Sequence, residues 1–188
     1  MHLLMNDENL YFLAIVPAAL ICEDIISIQQ DIADRFQSNA ALKIIPHITL
    51  KAPFRRPADL HAQVIQWFNQ MTINITPFNL ELNNFDVFVN SKQPVIYIKP
   101  LPNPFLADLQ KQISHNFCTA FPEMSLKNTE LQFKPHLTVA YRDLKPRFFE
   151  EAWQEFKTKN YSASFLVTDF RLMQHHGKQW ESIYAYYL

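Results

Sequence analysis

The chain has 188 residues, 48% of them hydrophobic and 14% aromatic, which is enough apolar material for the core of one ordinary domain or of two small lobes that share one. A formal net charge of -1 and a pI near 6.6 exclude a broad basic footprint for duplex DNA or RNA, because such binding rests on many Lys and Arg side chains neutralising phosphates. A small or end-recognised nucleotide stays open, whereas a membrane span does not, since no apolar run reaches the required length.

In chain order, Tyr11 to Val16 predicts a strand. The apolar stretch that continues to Cys22 reads as a strand turning into a helix and not as a secretory leader, because Asp7 and Glu8 precede it and Pro17 interrupts it. Ile25, Ile28, Ile32 and Phe36 recur at helical spacing, and Ile44 to Leu50 reads as a second strand. Pro57 suits the first turn of a second helix, lined by Leu60, Val64, Trp67 or Phe68, and Met71, before alternation resumes from Phe78 to Leu82. The second half repeats this order. Val95 to Lys99 is its first strand, Asn103-Pro104 caps and opens a helix lined by Leu106, Leu109, Ile113 and Phe117, and Phe133 to Ala140 is the next strand. Pro146 opens a fourth helix with Phe149, Trp153 and Phe156 on its apolar face. Two closing strands, Phe165 to Gln174 and Glu181 to Leu188, flank a turn at Gly177, the only glycine in the chain.

Strand, helix, strand, helix, strand thus occurs twice, at about residues 10–90 and 94–188, with the Gln93-Pro94 region and the Pro100 to Pro104 cluster as joints. Helices and strands in near-equal supply predict an α+β fold of two pseudo-symmetric lobes, each an antiparallel sheet with helices on the outside. Residues 1–188 then form a single bilobal domain with a cleft between the lobes. Cys22 and Cys118 lie in helix-like segments without metal-ligand spacing, so both read as small core residues of a protein in a reducing, cytoplasmic compartment.

The third element of each half, its second strand, carries the most specific signal. Pro46-His47-Ile48-Thr49 and Pro135-His136-Leu137-Thr138 are two copies of one tetrapeptide pattern, Pro-His-aliphatic-Thr. Residues two apart on a strand share a face, so each copy presents an imidazole beside a hydroxyl while Ile48 or Leu137 points into the opposite layer. One such histidine would be an ordinary core or edge residue. Two copies in equivalent places of a repeat supply what is needed to take one proton from a nucleophile and give another to a leaving group. The prolines suit strand starts, where a missing N–H is tolerated.

On Pro-His-Ile-Thr-Leu-Lys-Ala-Pro-Phe at 46–54 and Pro-His-Leu-Thr-Val-Ala at 135–140, with the element order between them, the chain resembles the two-histidine (2H) phosphoesterase superfamily, the 2′-5′ RNA ligase-like or RNA 2′,3′-cyclic phosphodiesterase family. The resemblance spans nearly the whole chain. It implies a pair of pseudo-symmetric lobes around a central cleft, His47 and His136 as an acid–base pair, with His47 the acid and His136 the base, and Thr49 and Thr138 as holders of non-bridging phosphate oxygens. The implied reaction opens a 2′,3′-cyclic phosphate of an RNA end or nucleotide to a 2′-phosphate, with 2′-5′ ligation as its reverse, and without metal or other cofactor. Val139 stands where the family often has Leu, a change of packing rather than chemistry.

Four further residues are candidates for substrate contact. Lys51 lies two beyond Thr49, on the same face by simple alternation, and Arg142 follows the second motif in a similar way. Phe54 and Tyr11 are candidates to stack on a base, against core packing as the ordinary role of an aromatic side chain. His175-His176 is a poor bidentate metal site, because neighbours on a strand face opposite ways. The expected protein is a monomer acting on RNA ends or cyclic nucleotides, with neither duplex DNA nor a membrane as partner. Two other readings remain at this point: a nucleotide or RNA-end binder of the same fold, and a metallohydrolase with the two histidines as ligands, which lacks a nearby carboxylate or third histidine.

Overall fold

The computed structural model describes residues 7–89 and 94–188. Eight strands form one sheet: β1 (Glu8–Ile15), β2 (Ile48–Pro57), β3 (Phe78–Phe88), β4 (Val95–Pro100), β5 (Leu137–Ala140), β6 (Ser162–Val167), β7 (Asp169–His175) and β8 (Trp180–Tyr187). Their order is β6-β3-β4-β5-β2-β1-β7-β8, and every ladder is antiparallel. The helices are α1 (Ala19–Phe36), α2 (His61–Gln70), α3 (Pro104–Ala120), a single turn α4 (Asn128–Leu131) and α5 (Pro146–Phe156). The α+β class is as expected, with the two lobes realised as the two halves of a continuous antiparallel sheet.

Local chemistry sets most of these elements. Asn103 Oδ1 accepts from Leu106 N at 3.0 Å and Pro104 occupies the first turn, so α3 begins where the cap demands. Pro146 likewise occupies the first turn of α5, there without a side-chain cap. Gly177 sits at φ +73, the left-handed conformation that the β7–β8 turn requires. Apolar residues of α1, α2, α3 and α5 form one continuous cluster with Leu13, Ile15, Ile48, Leu50, Ile98 and Leu137 of the sheet. Residues that alternate with these, Phe12, Ala14 and Met173, form a second small cluster with Ile44 and Trp180 on the other face.

Several boundaries differ from the periodicity reading. β2 starts at Ile48 and runs on to Pro57, so Pro57 ends a strand instead of opening α2, and a short 3₁₀ turn at Ala58–Leu60 intervenes. α4 has no counterpart in the apolar periodicity, and the second motif strand begins only at Leu137. The run from Phe165 to Gln174 is two strands, because the chain crosses at Thr168 from β6, paired with β3, to β7, paired with β1. Pro100 to Pro104 is the β4–α3 turn and not a joint between halves; Gln93 lies outside the described residues. Strands from the two sequence halves are in fact exchanged, since β3 pairs with β4 and β7 with β1.

Candidate active site

β2 and β5 meet at the centre of the sheet through the pair Ile48↔Leu137, and both side chains are 0% exposed in the core. Continuing that register one residue each way sets His47 opposite Thr138 and Thr49 opposite His136 on the other face. Directly opposed residues lie about 4.5–5.5 Å apart and diagonal ones about 7–8 Å. The two imidazoles therefore stand on one diagonal of a small square and the two hydroxyls on the other. All four side chains line one cleft of about 260 Å³, together with Phe12, Gln29 and Arg142.

The histidines are held alike. His47 Nδ1 lies 2.8 Å from Ile45 O, and His136 Nδ1 lies 2.8 Å from Lys134 O, the carbonyl two residues back in each case. A carbonyl only accepts, so each Nδ1 carries the hydrogen and each neutral ring keeps Nε2 as its free acceptor. Aromatic rings fix the planes: Phe12 lies 5.0 Å from the His47 ring, and Phe88 and Tyr97 lie 5.0 and 5.5 Å from His136. Burial pushes the His47 imidazole down to about 4, the bond to Ile45 opposes this, and the neighbouring His136 adds to the depression. Burial likewise lowers His136, against the bond to Lys134. Both rings are thus neutral near pH 7, and an anion between them would raise both.

Because β2 and β5 share so little ladder, side chains tie the motif segments across the molecule. Gln29 Nε2 on α1 donates to Thr138 O at 3.0 Å. Asp143, just after β5, accepts from Ser38 Oγ at 2.9 Å and from Asn39 N at 2.9 Å, which fixes the segment that leads into the first motif. Glu130, just before β5, accepts from Ala52 N at 3.2 Å and Lys127 N at 2.7 Å and pairs with Lys51 Nζ at 2.8 Å.

That pair corrects one expectation. Lys51 is not on the cleft face: it is 1% exposed, in the core, with its ammonium 4.1 Å from the Phe117 ring centroid. The cause is a register shift, since Leu13 pairs with Lys51 but Ala14 with Thr49, so one step on β1 spans two on β2. The extra residue turns Lys51 to the face of its partner Leu13. Phe54 and Tyr11 are also core residues and do not line the cleft. Phe54 packs against Trp67, Phe117 and Phe121, and Tyr11 Oη lies 2.6 Å from His61 Nδ1. Arg142, two residues past the end of β5, lines the cleft with φ +59. Sequence reasoning missed Phe12, Gln29, Tyr141 and Trp180, which line the cleft from β1, α1, the β5 exit and β8. Only the strand register reveals that Phe12, and not Tyr11, faces the motif.

A family model described as the 2′-5′ RNA ligase superfamily matches residues 18–179. The chain belongs to that superfamily. Among its relatives, a protein of Geobacillus kaustophilus is 27% identical over 139 residues, covering 74% of this chain and 75% of that one. Another, of Bacillus pumilus, is 32% identical over 117 residues, covering 60% and 63%. Both are named as phosphoesterases by inference. The fold is that of Escherichia coli LigT in its complex with 3′-AMP, with a TM-score of 0.71 at 19% identity over 97% of this chain and 99% of that one. A Thermus thermophilus protein gives 0.65 at 16% identity, over 95% and 97%. LigT has also been crystallised with ATP, with NADP+ and with phosphate. Among the described residues no helix is long and apolar enough to cross a membrane.

Proposed function

We propose that this superfamily member is a phosphodiesterase that opens a 2′,3′-cyclic phosphate, at an RNA end or on a nucleotide, by acid–base catalysis on His47 and His136. The observation that carries the reading is the convergence of two His-x-Thr pairs on one cleft, each histidine presenting Nε2. With the phosphate seated on the diagonal of the square, Thr49 and Thr138 donate their hydroxyl hydrogens to the non-bridging oxygens. One imidazole takes a proton from water as the water oxygen bonds to phosphorus. The other gives a proton to the ribose 3′ oxygen as the P–O3′ bond breaks, which leaves a 2′-phosphate and a free 3′ hydroxyl. Following the resemblance, His136 is the base and His47 the acid; the reverse direction is 2′-5′ ligation. Burial depresses both imidazoles, and a phosphate anion seated between them opposes that depression by favouring the protonated form.

No metal enters this scheme. A metallohydrolase would need at least a third donor beside the histidines, and among the described residues no cluster of three or more His, Cys, Asp or Glu side chains suits a metal ion. The nucleotide and phosphate complexes of LigT support a nucleotide as the substrate class. We further infer that residues 1–188 act as one bilobal, monomeric cytoplasmic unit built from a duplicated half. Incubation with adenosine 2′,3′-cyclic phosphate in excess chelator tests the assignment. The expected product is adenosine 2′-phosphate by phosphorus NMR. Turnover that vanishes with chelator and returns with a divalent ion would overturn the scheme, and a 3′-phosphate product would overturn the orientation of the substrate.

A further inference from the structure

The cleft continues past the histidines. A second concavity of about 450 Å³ adjoins it and shares Ile44, Tyr141, Arg142 and Trp180 as a common wall. Its remaining lining includes Lys43, His175 and Lys178. Three cationic side chains therefore converge from three separate elements: the 3₁₀ turn at Ala40–Lys43, the residue that follows Tyr141, and the β7–β8 turn. Among the described residues of the lining the only carboxylate is Asp143, and both its oxygens are already engaged, Oδ1 by Ser38 Oγ and Oδ2 by Asn39 N. Three cations against this one carboxylate leave the lining net positive, in a chain whose formal charge is -1. Its position is also defined, because Arg142 borders both concavities and is held at φ +59, a conformation that non-glycine residues enter at a cost. Trp180 supplies a fixed aromatic wall, its ring centroid 4.6 Å from Phe12 and 5.0 Å from His175.

We propose that this annex is a subsite for a second phosphate group, on the 5′ side of the ribose whose 2′ and 3′ oxygens carry the cyclic phosphate. The inference rests on the catalytic reading of the first cleft and narrows its substrate class: the preferred substrate bears another phosphate, and a nucleoside cyclic phosphate is only a minimal one. Lysine ammonium and arginine guanidinium groups bind phosphate oxygens through charge-assisted hydrogen bonds, and the Trp180 and Tyr141 rings offer a face on which a base can stack. The second phosphate has two chemical sources, a terminal 5′-phosphate on a mononucleotide or the phosphodiester to the neighbouring nucleotide of an RNA end.

The test compares kcat/KM for adenosine 2′,3′-cyclic phosphate, its 5′-phosphorylated form, and the dinucleotide ApA ending in a 2′,3′-cyclic phosphate. Each is measured with the native protein and with the Lys43→Gln/Lys178→Gln variant. Both lysines are exposed, so the variant is expected to fold, and its melting curve checks that. A second phosphate should raise native kcat/KM by about tenfold to a hundredfold, the scale of one or two charge-assisted hydrogen bonds. The variant should lose that gain and keep its rate on the nucleoside cyclic phosphate. A gain confined to the 5′-phosphorylated mononucleotide identifies a terminal phosphate as the ligand, and one confined to the dinucleotide identifies the phosphodiester. Equal kcat/KM for all three substrates, or a preference that survives in the variant, overturns the subsite. If none of the three is turned over, the catalytic reading has failed instead. The subsite is then decided by titration calorimetry, where adenosine 3′,5′-bisphosphate must bind the native protein more tightly than adenosine 3′-phosphate, and must lose that advantage in the variant.

Discussion

Replacing Lys51 by Met separates two roles that the sequence leaves entangled, since the residue stands two places beyond the first His-x-Thr motif but its ammonium is buried against Glu130. Lys51 and Glu130 are 1% and 6% exposed, and their charged atoms lie 2.8 Å apart. Burial pushes the Lys51 ammonium below the ordinary lysine range, and the hydrogen bond to Glu130 pushes back. Removing the ammonium leaves the carboxylate buried with two backbone donors, Ala52 N and Lys127 N. Breaking a buried pair from one side costs about 3–5 kcal/mol. At about 2–4 °C per kcal/mol for a protein of this size, the melting midpoint should fall by roughly 6–20 °C. Thermal melting by circular dichroism at pH 7 reads that shift, and turnover of a cyclic nucleotide well below the lowest midpoint reads catalysis. Lys51→Met should change kcat/KM only slightly, and Lys51→Met/Glu130→Gln should recover part of the lost stability, because the buried charge goes while the amide oxygen still accepts from one of the two N–H groups, which bond to separate oxygens of Glu130. The opposite pattern, an unchanged midpoint with a loss of about tenfold or more in kcat/KM, is what loss of a phosphate contact would give. That pattern would refute the buried-pair account.

Further expectations concern the cleft. Because burial depresses both imidazoles, the bell-shaped pH profile of kcat/KM, which reports the free enzyme, should peak below pH 6.5, while the kcat profile, which reports the complex with an anion bound, should lie at higher pH; superimposed profiles centred above pH 7 contradict this. Stability should follow the same shift: the unfolded chain protonates His47 near 6.5 and the folded one only near 4, so the unfolded state holds more protons and the urea midpoint should drop as pH falls through that window. A His47→Gln variant should show a smaller drop, and an unaltered slope would count against the depressed imidazole. Thr49→Ala and Thr138→Ala should retain more activity than the histidine variants, since water partly replaces a lost hydroxyl, and steady-state kinetics will rank them. Gln29→Ala removes the bond to Thr138 O and should lower kcat more than it raises KM if it acts by positioning β5; a pure KM effect would mean that Gln29 touches substrate.

What could be read in the sequence was local. The two Pro-His-aliphatic-Thr segments announce themselves within four residues each, and α1, α3 and α5 follow from apolar spacing plus the Asn103, Pro104 and Pro146 start signals. What escaped depends on pairing between distant segments. Alternation puts Lys51 beside Thr49, and only the register shift opposite Leu13 shows that an extra residue has turned it into the core. Tyr11 and Phe12 are adjacent aromatics of one strand, and which of them meets the motif depends on the ladder with β2 and β7. The Phe165 to Gln174 run keeps its apolar character through Thr168, so nothing in its periodicity marks the crossing between opposite halves of the sheet. Gln29 and Trp180 reach the cleft from elements whose own patterns describe only a helix face and a hairpin strand.

The central claim is that His47 and His136 act as one unit on one phosphate. Its most direct test is a double-substitution cycle on a 2′,3′-cyclic nucleotide, with kcat measured for the native protein, His47→Ala, His136→Ala and the pair together. Each single replacement should cost roughly 10²–10⁴-fold, the scale of losing a positioned acid or base, and the double should cost little more than the worse single, far less than the product of the two. Fully multiplicative losses would mean that the histidines work independently, and native-like turnover in the double variant would contradict the account outright.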